Sequence, residues 1–216
     1  YHVVPGTKYA ADLKAGGATQ STAYNFSGTP AKPALNTTSG VAITDAALAT
    51  SKVASADVRA DNGVIHVVDK VLVPPGVLNV VQMAQANPGA FSSLTGAVVA
   101  AGLAPTLSGA GPFTVFAPTN DAFTALLTEL GVANLAAIDA ATLNKVLQYH
   151  VVSGANVLAA TLTEGQQVTT FQSGKFTINL AGGAKIKDLN NRTSNIIITD
   201  VQGTNGVVHA IDKVLL

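Results

Sequence analysis

The sequence lacks cysteine and tryptophan and is poor in charged residues. Only 11% of its 216 residues are charged, and 12 Lys and Arg balance 12 Asp and Glu to a formal net charge of zero. In an average soluble domain about a quarter of the residues are charged. The absence of Cys excludes disulfides and leaves the redox compartment open. A neutral chain without clustered Lys and Arg argues against nucleic acid and anionic membranes as partners.

Signatures of membrane spans, metal sites and catalysis are missing too. No apolar run reaches the ~18 residues of a membrane span, and no Gly-x-Ser-x-Gly elbow or Walker loop is present. The only glutamates, Glu129 and Glu164, are too far apart in sequence to suggest a paired acid and base. The stretch Asp188 to Arg192 begins like a calcium loop but places Arg at the fifth position. We therefore expect no catalytic residue, no metal and no cofactor.

What the sequence does contain is a stretch that occurs twice. Asn62–Leu72 returns as Asn205–Leu215, with eight of eleven positions identical at an offset of 143. Asn-Gly between apolar runs predicts a hairpin turn, and the β-branched residues that follow predict a half-buried strand. His66, His209 and Asp212 are polar groups embedded in it. Two interpretations of the histidines remain open: core residues held by hydrogen bonds, or part of a small-ligand or catalytic site.

The duplication extends beyond these eleven residues. Tyr1-His2-Val3-Val4 matches Tyr149-His150-Val151-Val152 at an offset of 148. The difference of five predicts an insertion in the first copy, around Gly28 to Gly40, where loop-forming residues cluster. Residues 1–73 and 149–216 are therefore two copies of one strand-rich half. Only the second copy has a helical segment in front of it, and Pro74-Pro75-Gly76 forms a stiff joint between the two parts.

The segment between the copies predicts helices and one strand. Apolar stripes indicate helices over 77–84 and 91–101, separated by Asn87-Pro88-Gly89, and a further helix from Asp139 to Gln148. Phe113 to Phe116 predicts a short strand stopped by Pro118. Thr119 is placed to cap the next helix, which stops at Gly131. Asn120 and Asp121 are either cap and dipole partners of that helix or a small polar site at its start.

Three motifs in this order resemble those of fasciclin-like domains. Thr114 to Phe123 looks like their first signature box, Asn205 to Leu216 looks like the second, and Tyr149-His150 stands where such domains carry a Tyr-His motif. The resemblance implies an α+β fold, a twisted β-wedge or sandwich with packed helices, in tandem modules. Residues 1–74 correspond to the C-terminal half of one domain and residues 75–216 to a complete one.

The resemblance also implies a function, by analogy only. It implies a non-enzymatic adhesion or structural module, secreted or at the cell surface (periplasmic or extracellular), that binds proteins or polysaccharides. The Tyr-His motif, Tyr149-His150, and its equivalent Tyr1-His2 are the candidate recognition residues. Two alternatives are carried beside this one. The first is a self-assembling subunit of a surface filament or matrix, and the second is a small-ligand carrier or enzyme with a site near His150 or His209.

The first copy presents a further expectation, because nothing in it corresponds to residues 77–148. A strand-rich half alone exposes the apolar face that the helices cover in the second copy. The sequence begins with Tyr1 rather than Met, and we expect a processed form or a fragment. The complement is expected to be upstream sequence, present in the parent protein or bound as a separate chain that completes residues 1–74. Self-association is the other way of covering that face.

Overall fold

The structure is a computed structural model and describes residues 1–15, 19–38 and 40–216. The chain divides into two compact units, Tyr1–Val77 (unit 1) and Leu78–Leu216 (unit 2). Unit 1 is built mainly of strands, and unit 2 combines helices with a larger sheet. The two units together confirm the predicted α+β class.

The described residues of unit 1 form one short helix and six strands. In chain order they are α1 (Ala10–Ala15), β1 (Asn25–Phe26), β2 (Thr29–Pro30), β3 (Ala34–Asn36), β4 (Ala42–Thr44), β5 (Thr50–Ala60) and β6 (Gly63–Val68). Strands β3, β4, β5 and β6 form an antiparallel sheet in that order, and β1 and β2 form a separate hairpin. A turn at Asp61-Asn62 joins β5 to β6, as the Asn-Gly pair predicts.

Unit 2 contains five helices and a seven-stranded sheet. The helices are α2 (Val80–Ala86), α3 (Pro88–Ala100), α4 (Ala104–Ser108), α5 (Asn120–Leu130) and α6 (Ala140–Tyr149), with short 3-10 turns at Leu135–Ala137 and Ala159–Thr161. The strands are β7 (Phe113–Pro118), β8 (Val151–Ser153), β9 (Gln167–Thr169), β10 (Lys175–Asn179), β11 (Lys185–Lys187), β12 (Thr193–Gln202) and β13 (Gly206–Ile211). Their order in the sheet is β8-β7-β13-β12-β11-β10-β9.

Strand β13 lies at the centre of this sheet. It pairs with β12 in antiparallel fashion and with β7 in parallel, from Gly206 opposite Phe113 to Ile211 opposite Pro118. All six of its residues are buried, so the predicted half-buried strand is wrong here, because β13 is covered on both faces. Strand β7 is also longer than predicted, since Pro118 takes the last place in the ladder instead of stopping the strand.

The helices of unit 2 begin and end at side chains that bind the free backbone groups. Asn79 forms a capping box with Gln82, so α2 begins three residues after the predicted Val77. Asp139 accepts the first free N–H groups of α6. Pro88 was expected to lie between two helices, but it is the first residue of α3, where its missing N–H costs nothing. Gly131 ends α5 with a φ of 66°, a left-handed conformation that glycine adopts without steric cost.

The five-residue insertion of unit 1 lies in the β1–β2 hairpin. Thr22 donates its N–H to the C=O of Ala31, and Thr170 makes the same bond to Gly174. Between these fixed points unit 1 has residues 23–30, and unit 2 has only residues 171–173. The predicted range, Gly28 to Gly40, is therefore wrong for most of the insertion. The prediction placed the insertion too far along the chain because turn-forming residues also cluster after Pro30.

A buried cluster of unit 2 lies between the β7–β13 pair and strands β9, β10 and β11. The ring of Phe116 packs edge-on against that of Phe176 at 5.1 Å, and the Tyr149 ring does the same at 6.2 Å. Aromatic pairs favour this geometry. The buried cluster consists of Phe116, Tyr149, Val152, Leu162, Val168, Phe176, Ile178, Ile186, Ile211 and Leu215.

Candidate functional site

Tyr149 ends helix α6 and its side chain is only 1% exposed. Its hydroxyl donates to the C=O of Lys175 at 2.9 Å, and its ring lies so close to Gly174 that a Cβ there would be 3.2 Å away. Burial is the main cause that raises the pKa of Tyr149 to about 12. The phenol is therefore a neutral, packed group.

His150 is also 1% exposed and both of its ring nitrogens are hydrogen-bonded. Nδ1 lies 2.7 Å from the C=O of Val146, which can only accept, so the proton is on Nδ1. Nε2 accepts the N–H of Leu215 at 2.9 Å. Burial lowers the pKa of His150 to about 4. The imidazole is thus neutral at ordinary pH and ties the end of α6 to the C-terminal segment that follows β13.

The predicted recognition motif therefore belongs to the core of unit 2. Neither Tyr149 nor His150 reaches the surface in this structure. A partner can sense them only through the residues that they hold in place. Their part in recognition stays a prediction.

The equivalent pair in unit 1 is more accessible. The Nε2 atom of His2 accepts the N–H of Leu72 at 2.9 Å, the counterpart of the Leu215 bond, but His2 is exposed and Tyr1 is half-buried. Burial, followed by the negative charge of Asp45, raises the pKa of Tyr1 to about 12. The same polar links thus occur in both units with different degrees of cover.

The histidines of the repeated stretch hold two backbone groups each. His209 is fully buried, with Nε2 2.7 Å from the C=O of Val157 and Nδ1 accepting the N–H of Asp200 at 3.2 Å. Burial lowers its pKa. Its ring stacks on that of Phe116 at 5.2 Å. His66 repeats these bonds with the C=O of Lys8 and the N–H of Asp57, at 2.8 and 3.4 Å.

Asp212 fixes the hairpin that carries His209. Its carboxylate accepts the N–H of Asn195 at 2.7 Å and the hydroxyl of Ser194 at 3.3 Å. Asp69 does the same in unit 1, where the Lys52 N–H is the main cause of its lowered pKa. Both carboxylates thus hold a backbone N–H and a hydroxyl of the neighbouring strand in place.

The first signature box places its polar groups at the start of α5. The Thr119 hydroxyl accepts the N–H of Ala122 at 3.3 Å, and Asp121 lies exposed in the first turn. Asn120 links two helices, since its side chain accepts the Ser93 N–H at 2.9 Å and donates to the C=O of Gly89 at 3.0 Å. The sequence alone did not reveal this bridge to α3, because the partner atoms are backbone groups of ordinary residues.

A loop at Asp188–Arg192 lies directly beside the buried Tyr149. Its Asp188 carboxylate accepts the N–H groups of Asn190 at 3.0 Å and Arg192 at 2.8 Å, as well as that of Leu216 at 3.0 Å. Leu189, at the tip, is 63% exposed, and its backbone lies close enough to the Tyr149 hydroxyl to lower the pKa of that group against the larger effect of burial. The stretch that begins like a calcium loop is thus an internally bonded turn. Its signal in the sequence was the repeat of Asp45 as Asp188.

Two cavities bear on the ligand-carrier interpretation. The one beside His150, lined by Leu94, Thr95 and Leu147, measures about 30 Å³, room for water rather than for an organic ligand. The other lies in unit 1 and measures about 370 Å³. Within the described ranges, no group of three or more His, Cys, Asp or Glu is placed to hold a metal ion. A helix long and apolar enough to span a membrane is likewise absent from the part of the chain that the structure describes.

This combination of a seven-stranded sheet, packed helices and a Tyr-His pair whose histidine binds the segment after β13 defines a class of domain. The sequence model of the fasciclin domain matches residues 1–74 and 89–216. The chain therefore belongs to the fasciclin domain family. The structure of a domain pair from the insect cell adhesion molecule fasciclin I superimposes with a TM-score of 0.62, at 19% identity, over 99% of this chain and 77% of that one.

Curated relatives match over about half of the chain. Protein sll1483 of Synechocystis is 42% identical over 106 residues, which are 49% of this chain and 56% of that protein. A second Synechocystis protein, sll1735, is 35% identical over 106 residues and 74% of its length. Mouse Stabilin-2 is 31% identical over 105 residues, only 4% of its length. The matched part thus spans little more than half of the first relative and a small fraction of the stabilins.

Proposed function

We propose that this chain is a non-enzymatic adhesion or structural module that acts in a periplasmic or extracellular setting and binds a protein or a polysaccharide. Membership in the fasciclin family supports the proposal, as does the likeness to a domain pair from an insect cell adhesion molecule. The zero net charge favours neutral partners over nucleic acid. The polar groups of the signature motifs are engaged in backbone hydrogen bonds, which favours a structural use of them.

The observation that carries the proposal is the rigid loop of Leu189. An exposed apolar side chain stands on a turn that the Asp188 carboxylate closes from within and that lies against the buried Tyr149. A contact surface that is already ordered loses little conformational entropy on binding. Tyr149 and His150 then contribute to recognition as positioning residues of this loop.

Unit 1 provides the matched control for this loop. Its equivalent of Leu189 is Ala46, whose backbone lowers the pKa of the Tyr1 hydroxyl in the same way. Leu189→Ala therefore gives unit 2 the residue that unit 1 already tolerates. Leu189→Asp adds a charge at the same exposed site. Surface changes of this kind alter stability by no more than about 0.5 kcal/mol.

The experiment measures adhesion and stability together. Cells and soluble polysaccharides are allowed to bind to surfaces coated with the chain, with Leu189→Ala, Leu189→Asp and Tyr149→Phe as variants. We expect Leu189→Asp to lower adhesion several-fold at unchanged melting temperature. Tyr149→Phe removes a buried hydroxyl and should cost about 1 kcal/mol while lowering adhesion. If adhesion of all three variants follows only the folded fraction, the loop is not the contact.

A self-assembling structural subunit is the second candidate. The observation that favours it is the exposed apolar side chains of β6 in unit 1, Ile65 and Val67, because such residues on an edge strand promote association. The size distribution at rising concentration distinguishes the two candidates. Growth into open-ended assemblies supports the subunit, and a concentration-independent size supports the adhesion module.

A further inference from the structure

Unit 1 contains an open groove between the segment Tyr1–Val4 and strand β6, which we call the strand groove. Its cavity of about 370 Å³ is lined by apolar side chains such as Val4, Val64 and Val68, with His66 among them. Within the described residues, β6 pairs only with β5. The free edge of β6 therefore presents backbone donors and acceptors that another strand can use.

Unit 2 shows what occupies the equivalent place. Strand β7 lies there between β8 and β13, in parallel with β13. Its Phe116 stands opposite His209 and stacks on it. The Thr114 hydroxyl donates to the C=O of Ala155 and accepts the N–H of Val157, both at 2.8 Å. All six residues of β7 are buried.

The walls of the groove keep the same hydrogen bonds with and without an occupant. Three bonds of unit 1 recur in unit 2 at nearly the same length. In the first pair, His2 Nε2 accepts the N–H of Leu72 and His150 Nε2 accepts that of Leu215, both at 2.9 Å. In the second, His66 Nε2 lies 2.8 Å from the C=O of Lys8, and His209 Nε2 lies 2.7 Å from the C=O of Val157. In the third, the N–H of Ala23 donates to the C=O of Val3 at 2.7 Å, and the N–H of Phe171 donates to the C=O of Val151 at 2.6 Å. The strand groove is therefore formed before anything enters it.

We propose that the strand groove binds an extended polypeptide segment, parallel to β6, with the residue pattern of Phe113–Pro118. In the register of β7 its second aromatic ring lies on His66, as Phe116 lies on His209. Its threonine hydroxyl faces the backbone of the segment Gly6–Lys8, the counterpart of Gly154–Val157. Main-chain bonds to a sheet edge give affinity, and pockets for alternate side chains give specificity.

The occupant is a separate polypeptide that carries this residue pattern. Strand β7 of this chain, or of a second copy, is already paired on both edges and buried. Its transfer to another unit 1 would open the unit that gives it up. The inference goes beyond the proposed function and does not rest on it, because the groove and its walls are the same whatever the Leu189 loop binds.

The first test is a titration of the full chain with a labelled peptide of the sequence of residues 111–119, followed by fluorescence anisotropy. We expect saturable one-to-one binding, weakened at least ten-fold by Phe116→Asp in the peptide. In the chain, Val64→Arg should weaken binding to the same degree. Val71→Arg, at a side chain that is 80% exposed and outside the groove, should not. Equal binding by the Phe116→Asp peptide overturns the proposal without any question of chain folding.

Disulfide trapping tests register and direction, because the chain has no cysteine of its own. In unit 2, Ala117 lies opposite Ala210, the counterpart of Val67. A Val67→Cys chain should therefore form a disulfide with an Ala117→Cys peptide and not with a Phe113→Cys peptide. The reverse preference would show an antiparallel strand and overturn the proposed geometry.

Sedimentation at rising concentration tests the source of the segment. A chain that stays monomeric and still binds the peptide supports an occupant from outside these residues. A dimer that the peptide dissociates would show that a second copy fills the groove. That result would overturn the proposed source.

Discussion

Strands β6 and β13 share most of their sequence and differ in their surroundings. Ile65 of β6 is 55% exposed and its counterpart Val208 only 6%, while Val67 is 47% exposed and Ala210 not at all. The hairpins, the aspartates at their ends and the histidine bonds are the same in both units. The difference lies in β7 and the helices beside it, which accompany β13 and have no counterpart among the described residues of unit 1.

The comparison separates two kinds of information in one stretch of sequence. The polar bonds of the hairpin are local, so they form in either setting. Burial is a property of the neighbours, so it changes when the neighbours change. The shared residues therefore specify the hairpin, and the preceding segment decides whether it becomes core.

The largest difference is expected for truncation of the last residue of each strand. Ile211→Ala, at a fully buried site, should cost about 2–5 kcal/mol. Val68→Ala, at the half-buried counterpart, should cost about 1 kcal/mol or less. The extra methylene of isoleucine accounts for only about 0.8 kcal/mol of the gap. Hydrogen exchange resolved by peptide, at increasing urea, gives the stability of each unit, and equal losses would remove the contrast.

Acidification should weaken unit 2 through His150. The unfolded imidazole takes up a proton below pH 6.5, whereas in the folded unit burial holds its pKa at about 4. The contribution of the neutral His150 to the free energy of unfolding is therefore fully present above pH 6.5. It falls by an amount on the order of 3 kcal/mol as the pH drops towards 4. His209, whose pKa burial also lowers, acts with the same sign. Peptide-resolved exchange between pH 7 and 4 measures the decline, and His150→Gln should reduce its slope; an unchanged slope contradicts the assignment.

A smaller difference is expected between the two histidines of the repeated stretch. His209→Ala leaves the buried C=O of Val157 and N–H of Asp200 without partners, which should cost about 1–3 kcal/mol. His66→Ala affects backbone groups beside the open groove, where water can replace the ring, so the loss should stay below about 1 kcal/mol. Denaturant midpoints of each unit compare the two. A larger loss for His66 would show that the groove is closed to water.

Short-range features of the fold were predictable from the sequence. The hairpin at Asn205-Gly206 and the ends of α5 at Thr119 and Gly131 follow from one or two residues each. The helix that Asp139 begins was predicted to within one residue of its end. Each depends on hydrogen bonds between residues close in the chain, so the local sequence is sufficient to predict these turns and helix ends.

Long-range features were not predictable in the same way. The full burial of β13 depends on β7 and on helices contributed by a distant segment. The role of Asn120 depends on the carbonyls of Pro88 and Gly89, which any sequence would provide. The position of Tyr149 beneath Leu189 required the turn at Asp188, whose calcium-like beginning indicated a different use. In the sequence, only the recurrence of Asp45 as Asp188 indicated that this turn belongs to the repeated half.

The parallel pairing of β7 with β13 also has a consequence for the order of folding. Gly206 and Phe113 are opposite each other in the sheet although most of unit 2 lies between them in the sequence. Closing so long a loop costs entropy before any contact repays it, and distant pairings slow folding. The β12–β13 hairpin, in contrast, closes over Gly203, Thr204 and Asn205. The hairpin of unit 1, in which β6 pairs only with β5 among the described residues, shows that this part of the fold does not need a parallel partner.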